Sequence, residues 1–419
     1  MKQAKRILAL ALILTVVFSG LFAQGSKETT DDVVTLRLEQ FSGSDGTGSG
    51  DALRAMIAEF EKQNPNIKVE LQTIGYDDYF TQLQGKVVGG NAADVFELNY
   101  ENFVAYASQG ALYDVSSLLG DTSGFNKTAL DAFNYQGKQY GVPNSFSNCV
   151  MFCNKALFDK AGIDYPTDDW TWKDVETASR KIMALGDNIW GFYRPWSFFE
   201  FFKGAAQNGG SLMSADGKAF TVNTPENIEA AELMAGWQLD SHIMPTAAEM
   251  AGMGDWDLFK SGRLGMLVTG IWAFADFTEN CEFPWDIVVE PGNTQKATHF
   301  FSNTYVVAST CEHPEEAAKL ATFLAGSKEA TTLRVAASWE LPPVVYTDVI
   351  DSYLKITPPD NREAVFESLD YLVTVPVCVQ QAEMSAIIES HLSEIIYGKL
   401  SAEDALNACQ KELEAKIKL

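Results

Sequence analysis

The stretch ALRAMIAEFEKQNPNIKVELQTI (residues 52–74), followed directly by GYDDYFTQLQGKVVGGNAADVFELN (residues 75–99), decides the fold. Leu53, Met56, Ile57 and Phe60 recur at helical spacing and predict one apolar stripe. Asn64-Pro65-Asn66 ends that helix, because proline lacks the backbone donor and disfavours helical geometry in its predecessor. Ile67, Val69 and Leu71 then alternate as a strand. A second helix is expected from about Tyr79 to Val88, stopped by Gly89-Gly90, and a buried strand from Ala93 to Leu98. Upstream, Val34, Leu36 and Leu38 in VVTLRLEQ alternate as a first strand. The glycine-rich FSGSDGTGSGD follows it, with Ser49 or Asp51 as the expected helix cap. This strand–helix order implies a parallel sheet with right-handed crossovers. Ligands of open α/β sheets bind beyond the carboxyl ends of strands, so the loops at 41–50 and 99–101 are expected at a site.

Composition narrows the function. The chain has 419 residues, 46% hydrophobic and 21% charged, enough for two domains with sizeable cores. A net charge of -25 repels a phosphate backbone, which excludes nucleic acid as a natural partner and disfavours an anionic membrane surface. Lys2, Lys5 and Arg6 precede an apolar run from Ile7 to Phe18, and Ser19, Gly20 and Ala23 follow it. That pattern predicts a secretory signal over residues 1–23 and a polar tether over 24–32. The run falls short of the roughly 20 residues that span a bilayer. The cysteines 149, 153, 281, 311, 378 and 409 lack metal-type spacing. Cys149 and Cys153 stand four residues apart in an expected strand, too far to bridge, and are expected as buried thiols. A Cys281–Cys311 disulfide is left open.

Farther on, YQGKQYGVPNSFSNCVMFCNKALF reads as a short hairpin, Gly141-Val142-Pro143, then a strand ending in Asn154-Lys155. AGIDYPTDDWTWKDVETASRKI has Thr171 and Asp174 at capping-box spacing. GRLGMLVTGIWAF and FPWDIVVEPG are strand-rich. FFSNTYVVAS, the Pro314-to-Gly326 helix, WELPPVVY and two closing helices complete the chain. In order and spacing, residues 33–417 resemble the carbohydrate-binding group of extracellular solute-binding proteins, family 1, the maltose-binding-protein-like partners of ABC importers. The resemblance implies two discontinuous α/β lobes joined by crossing strands, with a ligand cleft between them. The first lobe would comprise 33–142 and 303–338, the second 143–302 and 339–419, with hinges near Val142–Asn144 and Ser302–Tyr305. It further implies a carbohydrate ligand, ABC permease membrane subunits as partners, a monomer, no cofactor and no catalysis. No cysteine precedes Cys149, so a soluble periplasmic or extracellular protein is expected rather than a lipid-anchored one.

The residues offer little for other chemistry. His242, His299, His313 and His391 stand isolated, and no zinc, calcium, phosphate-loop or nucleophile-elbow motif occurs, so no metal site is expected. Sugar recognition asks for flat rings against C–H faces and for amides, hydroxyls and carboxylates around the hydroxyl rim. Trp196, Trp272 and Trp339 are the aromatic candidates; the other tryptophans are read as structural. Strand-end positions supply the polar ones: Ser42, Ser44, Asp45, Asn99, Tyr100, Ser145, Asn148, Asn303 and Glu340. Tyr76, Asp77 and Asp78 are read as helix-capping residues. Two competing readings remain. One is the same fold holding a polyol phosphate, served by Arg194 or Arg334. The other is a secreted glycosidase with two carboxylates set across a cleft.

Overall fold

The computed structural model describes residues 33–43 and 47–419. The expected signal and tether therefore lie outside the described residues, as do Ser44 and Asp45. In chain order the first elements are β1 (Val34–Gln40), α1 (Gly48–Gln63), β2 (Ile67–Thr73), α2 (Tyr76–Val88) and β3 (Val95–Asn99). β4 (Gly141–Ser147) and β5 (Cys149–Asn154) follow, then α3 (Trp172–Met183), β6 (Trp190–Tyr193), α4 (Phe198–Gln207) and α5 (Pro225–Leu239). β7 (Leu264–Gly270), α6 (Phe274–Asn280), β8 (Trp285–Val288) and β9 (Phe301–Val307) lead to the closing helices. These are α7 (Pro314–Gly326), α8 (Lys328–Ala336), α9 (Gln381–Ile396) and α10 (Ala402–Lys416).

Two sheets organise these elements. The first runs β2-β1-β3-β9-β4 and the second β8-β5-β7-β6. The first sheet is mixed rather than parallel: β1 pairs parallel with β2 and β3, but β9 runs antiparallel to β3 and to β4. The parallel expectation holds for the opening βαβαβ stretch and fails where β4 and β9 join the sheet, because β4 leads the chain out to the second sheet and β9 brings it back, and β9 lies antiparallel between β3 and β4. In the second sheet β5 is buried on both faces. Cys149, Met151 and Cys153 pack into one apolar cluster, Val150 and Phe152 into another. A helical layer of α4, α5, α9 and α10 closes around Phe201, Ala231, Ile388, Leu406 and Leu413.

Local departures have local causes. α1 starts at Gly48, earlier than a cap at Ser49 or Asp51 would begin it, because the Thr47 hydroxyl accepts the Gly50 N–H. α2 starts at Tyr76 after Gly75 and has no side-chain cap, so Tyr76, Asp77 and Asp78 are first-turn residues rather than caps. Thr171 does head α3, where the Asp174 carboxylate accepts its backbone N–H at 2.9 Å and its hydroxyl at 2.7 Å. All six cysteines are free thiols, so the Cys281–Cys311 bridge is not formed. Burial pushes the Cys149, Cys153 and Cys281 thiols up to about 12, which keeps them protonated and unreactive. No helix among the described residues is long and apolar enough to cross a membrane.

Candidate functional site

The carboxyl ends of β1, β2 and β3 converge on one cavity of about 650 Å³. Phe41 and Ser42 follow β1, Tyr76 follows β2, and Asn99 ends β3; all four line it. The N-terminus of α1 also faces it through Thr47, Gly48 and Ser49. The crossing strands contribute the floor. Register places Asn303 opposite Asn99 on one side and opposite Ser145 on the other, and Phe301 opposite Ser147. Asn303, Phe301 and Ser147 reach the cavity. The opposite wall comes from the second sheet and its helices, with Trp272, Trp256 and Phe199 as its rings.

Ser42 is held firmly. Glu97 is fully buried and accepts the Ser42 hydroxyl at 2.7 Å, the Ser42 N–H at 3.0 Å and the Asn144 amide at 3.0 Å. Burial nevertheless leaves the Glu97 carboxyl above its ordinary range, against the pull of those hydrogen bonds. Gly43 next door has φ +69°, and a Cβ there would stand 2.9 Å from the Trp339 ring. Only glycine admits both the backbone angle and the ring. Asn99 caps the helix that follows it, accepting the Asn102 N–H at 3.3 Å, while its amide donates to the Tyr76 hydroxyl at 3.3 Å.

Trp339 enters the cavity through a reversal at the end of α8. Ser338 takes a left-handed φ of 50°, and the Trp339 N–H donates back to the Arg334 carbonyl at 3.1 Å. Trp272 lies in the turn before α6, edge-on to Phe301 with centroids 5.1 Å apart. Its six-membered ring covers Gly270 so closely that a Cβ there would fall 2.0 Å from it. Gly270→Ala should therefore tilt Trp272 out of place and cost about 1–3 kcal/mol of binding or packing. The same change in a Trp272→Ala background should cost little. Calorimetric ligand titration of the single and double variants checks this, and equal losses in both backgrounds would disprove the seat.

The cavity brings together Ser42, Asn99, Trp272, Asn303, Trp339 and Glu340 from the sequence-derived set. It leaves out four others. Trp196 donates its indole N–H to the Leu392 carbonyl at 2.9 Å and packs into the second-lobe cores. Asn148 is buried and donates to the Val365 carbonyl at 2.9 Å, while Tyr100 packs edge-on against Phe133. Ser145 is buried behind Asn303. Trp256, read as structural, instead lines the cavity and donates its indole N–H to Thr269 at 3.2 Å. Ala275, Asp276, Glu279 and Asn280 also line it, at helical spacing from Trp272, a periodicity that was visible in the sequence.

The charges favour a neutral, hydroxyl-rich ligand. Asp276, Glu279 and Glu340 face the cavity, and no lysine or arginine lines it among the described residues. Arg194 is buried, with its Nε 2.6 Å from Glu200, and belongs to the core. Arg334 is buried behind Trp339. A polyol phosphate would thus meet carboxylates rather than cations. Asp276 and Glu279 share one helix, and Asp276 is paired with Lys260 at 2.9 Å. No cluster of residues that could hold a metal ion occurs among the described residues.

Two α/β lobes with a polar and aromatic cavity between their sheets define the class of two-lobed binding proteins. Residues 43–331 match the model of the bacterial extracellular solute-binding protein family, and the chain belongs to that family. It is 45% identical to an ABC substrate-binding protein from Listeria monocytogenes, solved in complex with cycloalternan. That match has a TM-score of 0.88 over 92% of this chain and 99% of that one. The GacH receptor of Streptomyces glaucescens, at 19% identity and a TM-score of 0.77 over 92% and 98% of the two chains, shares the fold. Among curated relatives, a diacetylchitobiose binding protein of Streptomyces coelicolor is 28% identical over 54% of this chain and 53% of its own. A putative binding protein of Brucella abortus is 25% identical over 63% of this chain, and the match spans 66% of that relative's length.

Proposed function

We propose that this protein captures a mono- or oligosaccharide between its lobes and delivers it to an ABC importer. One observation carries the reading: Trp339, packed in the core beside β1 and α1, and Trp272, packed on the core of the second sheet, line a single cavity amid Ser42, Asn99, Asn303 and Glu340. Rings cover sugar C–H faces, and the amides, hydroxyl and carboxylate suit the hydroxyl rim. The cycloalternan complex of the Listeria relative makes an oligosaccharide the favoured ligand.

In this reading the first lobe comprises 33–142 and 303–338, the second 143–302 and 339–419, and β4 and β9 carry the hinge. A ligand touching both walls stabilises the closed form and shifts the population toward it. The closed monomer then docks on permease subunits outside the cytoplasm, after a signal ending near residue 23 is removed. The protein does no chemistry on the sugar and needs no cofactor.

A thermal-shift screen tests the proposal. A sugar at a hundredfold excess over its Kd should stabilise the native state by about 2.7 kcal/mol. Cycloalternan, malto-oligosaccharides, manno-oligosaccharides and glycerol phosphate form an informative panel. A midpoint raised by glycerol phosphate alone would overturn the sugar reading. Chromatographic recovery of intact sugar after prolonged incubation separates binding from hydrolysis, and shortened products would sink the non-enzymatic reading.

A further inference from the structure

Arg334 is 1% exposed, and its Nε and both terminal nitrogens have no hydrogen-bond partner among the described residues. Such a group is costly to bury without compensation. Its contacts are instead with two consecutive cavity residues. The guanidinium carbon lies 3.9 Å from the centroid of the Trp339 ring, and Nη1 lies 3.9 Å from Glu340 Oε2. The α8 reversal creates this arrangement, folding Trp339 back over the last turn of its own helix.

We propose that Arg334 is a positioning residue for ligand capture, holding the Trp339 ring against the cavity floor and supplying the counter-charge for the Glu340 carboxylate. This assignment rests on the cavity being the sugar site. The stack needs a planar cation, which arginine provides and lysine does not. At 3.9 Å the carboxylate is held by charge rather than by a hydrogen bond. The other groups facing Glu340 are the Asn303 amide, 3.4 Å from both its oxygens, and the Ser145 hydroxyl. Glu97 in β3 and the Tyr305 hydroxyl in β9, which donates to Gln40, also feel the charge of Arg334. One cation thus serves two buried carboxylates. Burial raises the Glu340 carboxyl above its ordinary range, Arg334 opposes that rise, and Glu97 adds to it. Without Arg334 the carboxyl would take up a proton at still higher pH and cease to be a pure acceptor for sugar hydroxyls.

The test compares wild type, Arg334→Met and Glu340→Gln as full chains. Cycloalternan affinity is measured by calorimetry from pH 5 to 8, and the Glu340 side-chain carbon is titrated by NMR in ligand-free protein. Arg334→Met should move the Glu340 midpoint up by about one pH unit or more. It should also weaken binding about tenfold at pH 7, with affinity recovering as pH rises. An unchanged Glu340 titration, or weaker binding with an unchanged pH profile, would overturn the assignment. Glu340→Gln is isosteric and removes a buried charge, so it keeps the test open should Arg334→Met not fold. It should remove the loss of affinity towards acid that is expected of wild type; a variant that keeps the wild-type loss overturns the assignment. Absence of sugar binding by wild type would instead strike the proposed function, while the ligand-free titration still decides the role of Arg334.

Discussion

Replacing Lys203 by Met is expected to destabilise the protein by about 3–5 kcal/mol. Lys203 is fully buried, with Nζ 2.9 Å from Glu200 Oε1 and 2.7 Å from Glu290 Oε2. Arg194 completes the group, 2.6 Å from Glu200 and 3.7 Å from Glu290. Two cations therefore balance two carboxylates in the core of the second lobe. Methionine fills the volume of the lysine stem but leaves one carboxylate uncompensated. Burial already holds Glu290 above its ordinary range, against the pull of Lys203 and Arg194, and losing Lys203 raises it further. The sign of the pH dependence follows. A carboxyl whose folded-state pKa is raised favours the fold below its unfolded value and loses that contribution as pH rises through its folded value. The deficit of the variant should thus be larger at pH 8 than at pH 5. Urea unfolding at both values checks this, and a deficit below 1 kcal/mol at pH 8 would refute it.

Trp272→Ala should weaken sugar binding about thirtyfold, or about 2 kcal/mol, with little change in melting temperature. Its ring is half-buried, edge-on to Phe301, and seated on Gly270, so it is held in place without forming the core. Removing it strips one wall of the cavity while Met151, Met266 and Val268 keep the packing of the core it lies against. Calorimetric titration and thermal melts of the ligand-free variant separate the two effects. Unfolding of the variant would make Trp272 a core residue, and an unchanged Kd would remove it from the site.

The strand ends of the first lobe were legible because they follow from local pattern. Leu36 and Leu38 alternate, β1 ends at Gln40, and Ser42 falls beyond it. The second wall was harder. Trp196 and Phe199 stand three residues apart in one segment, and only the packing of α4 against α9 sends Trp196 to the Leu392 carbonyl and leaves Phe199 on the cavity. Ser145 and Ser147 share a strand face, yet Ser145 takes a hydrogen bond from Asn303 while Ser147, at the end of the strand, borders the cavity. Trp256 gave no local sign of its place, since it reaches the wall only because its short helix, Asp255–Lys260, packs against β7, the strand that ends beside Trp272.

The sequence by itself determined the family, the opening βαβαβ order and the loops at the carboxyl ends of its strands. Hydrophobic periodicity and turn residues act over a few positions, so they can be read without knowing the fold. Only the tertiary structure decided that β4 and β9 run antiparallel into the first sheet, that Asn99 and Asn303 sit side by side, and that Arg334 lies beneath Trp339. These are pairings between residues distant along the chain or turned by a single left-handed residue. Their geometry is set by strand register and packing, which no local pattern encodes.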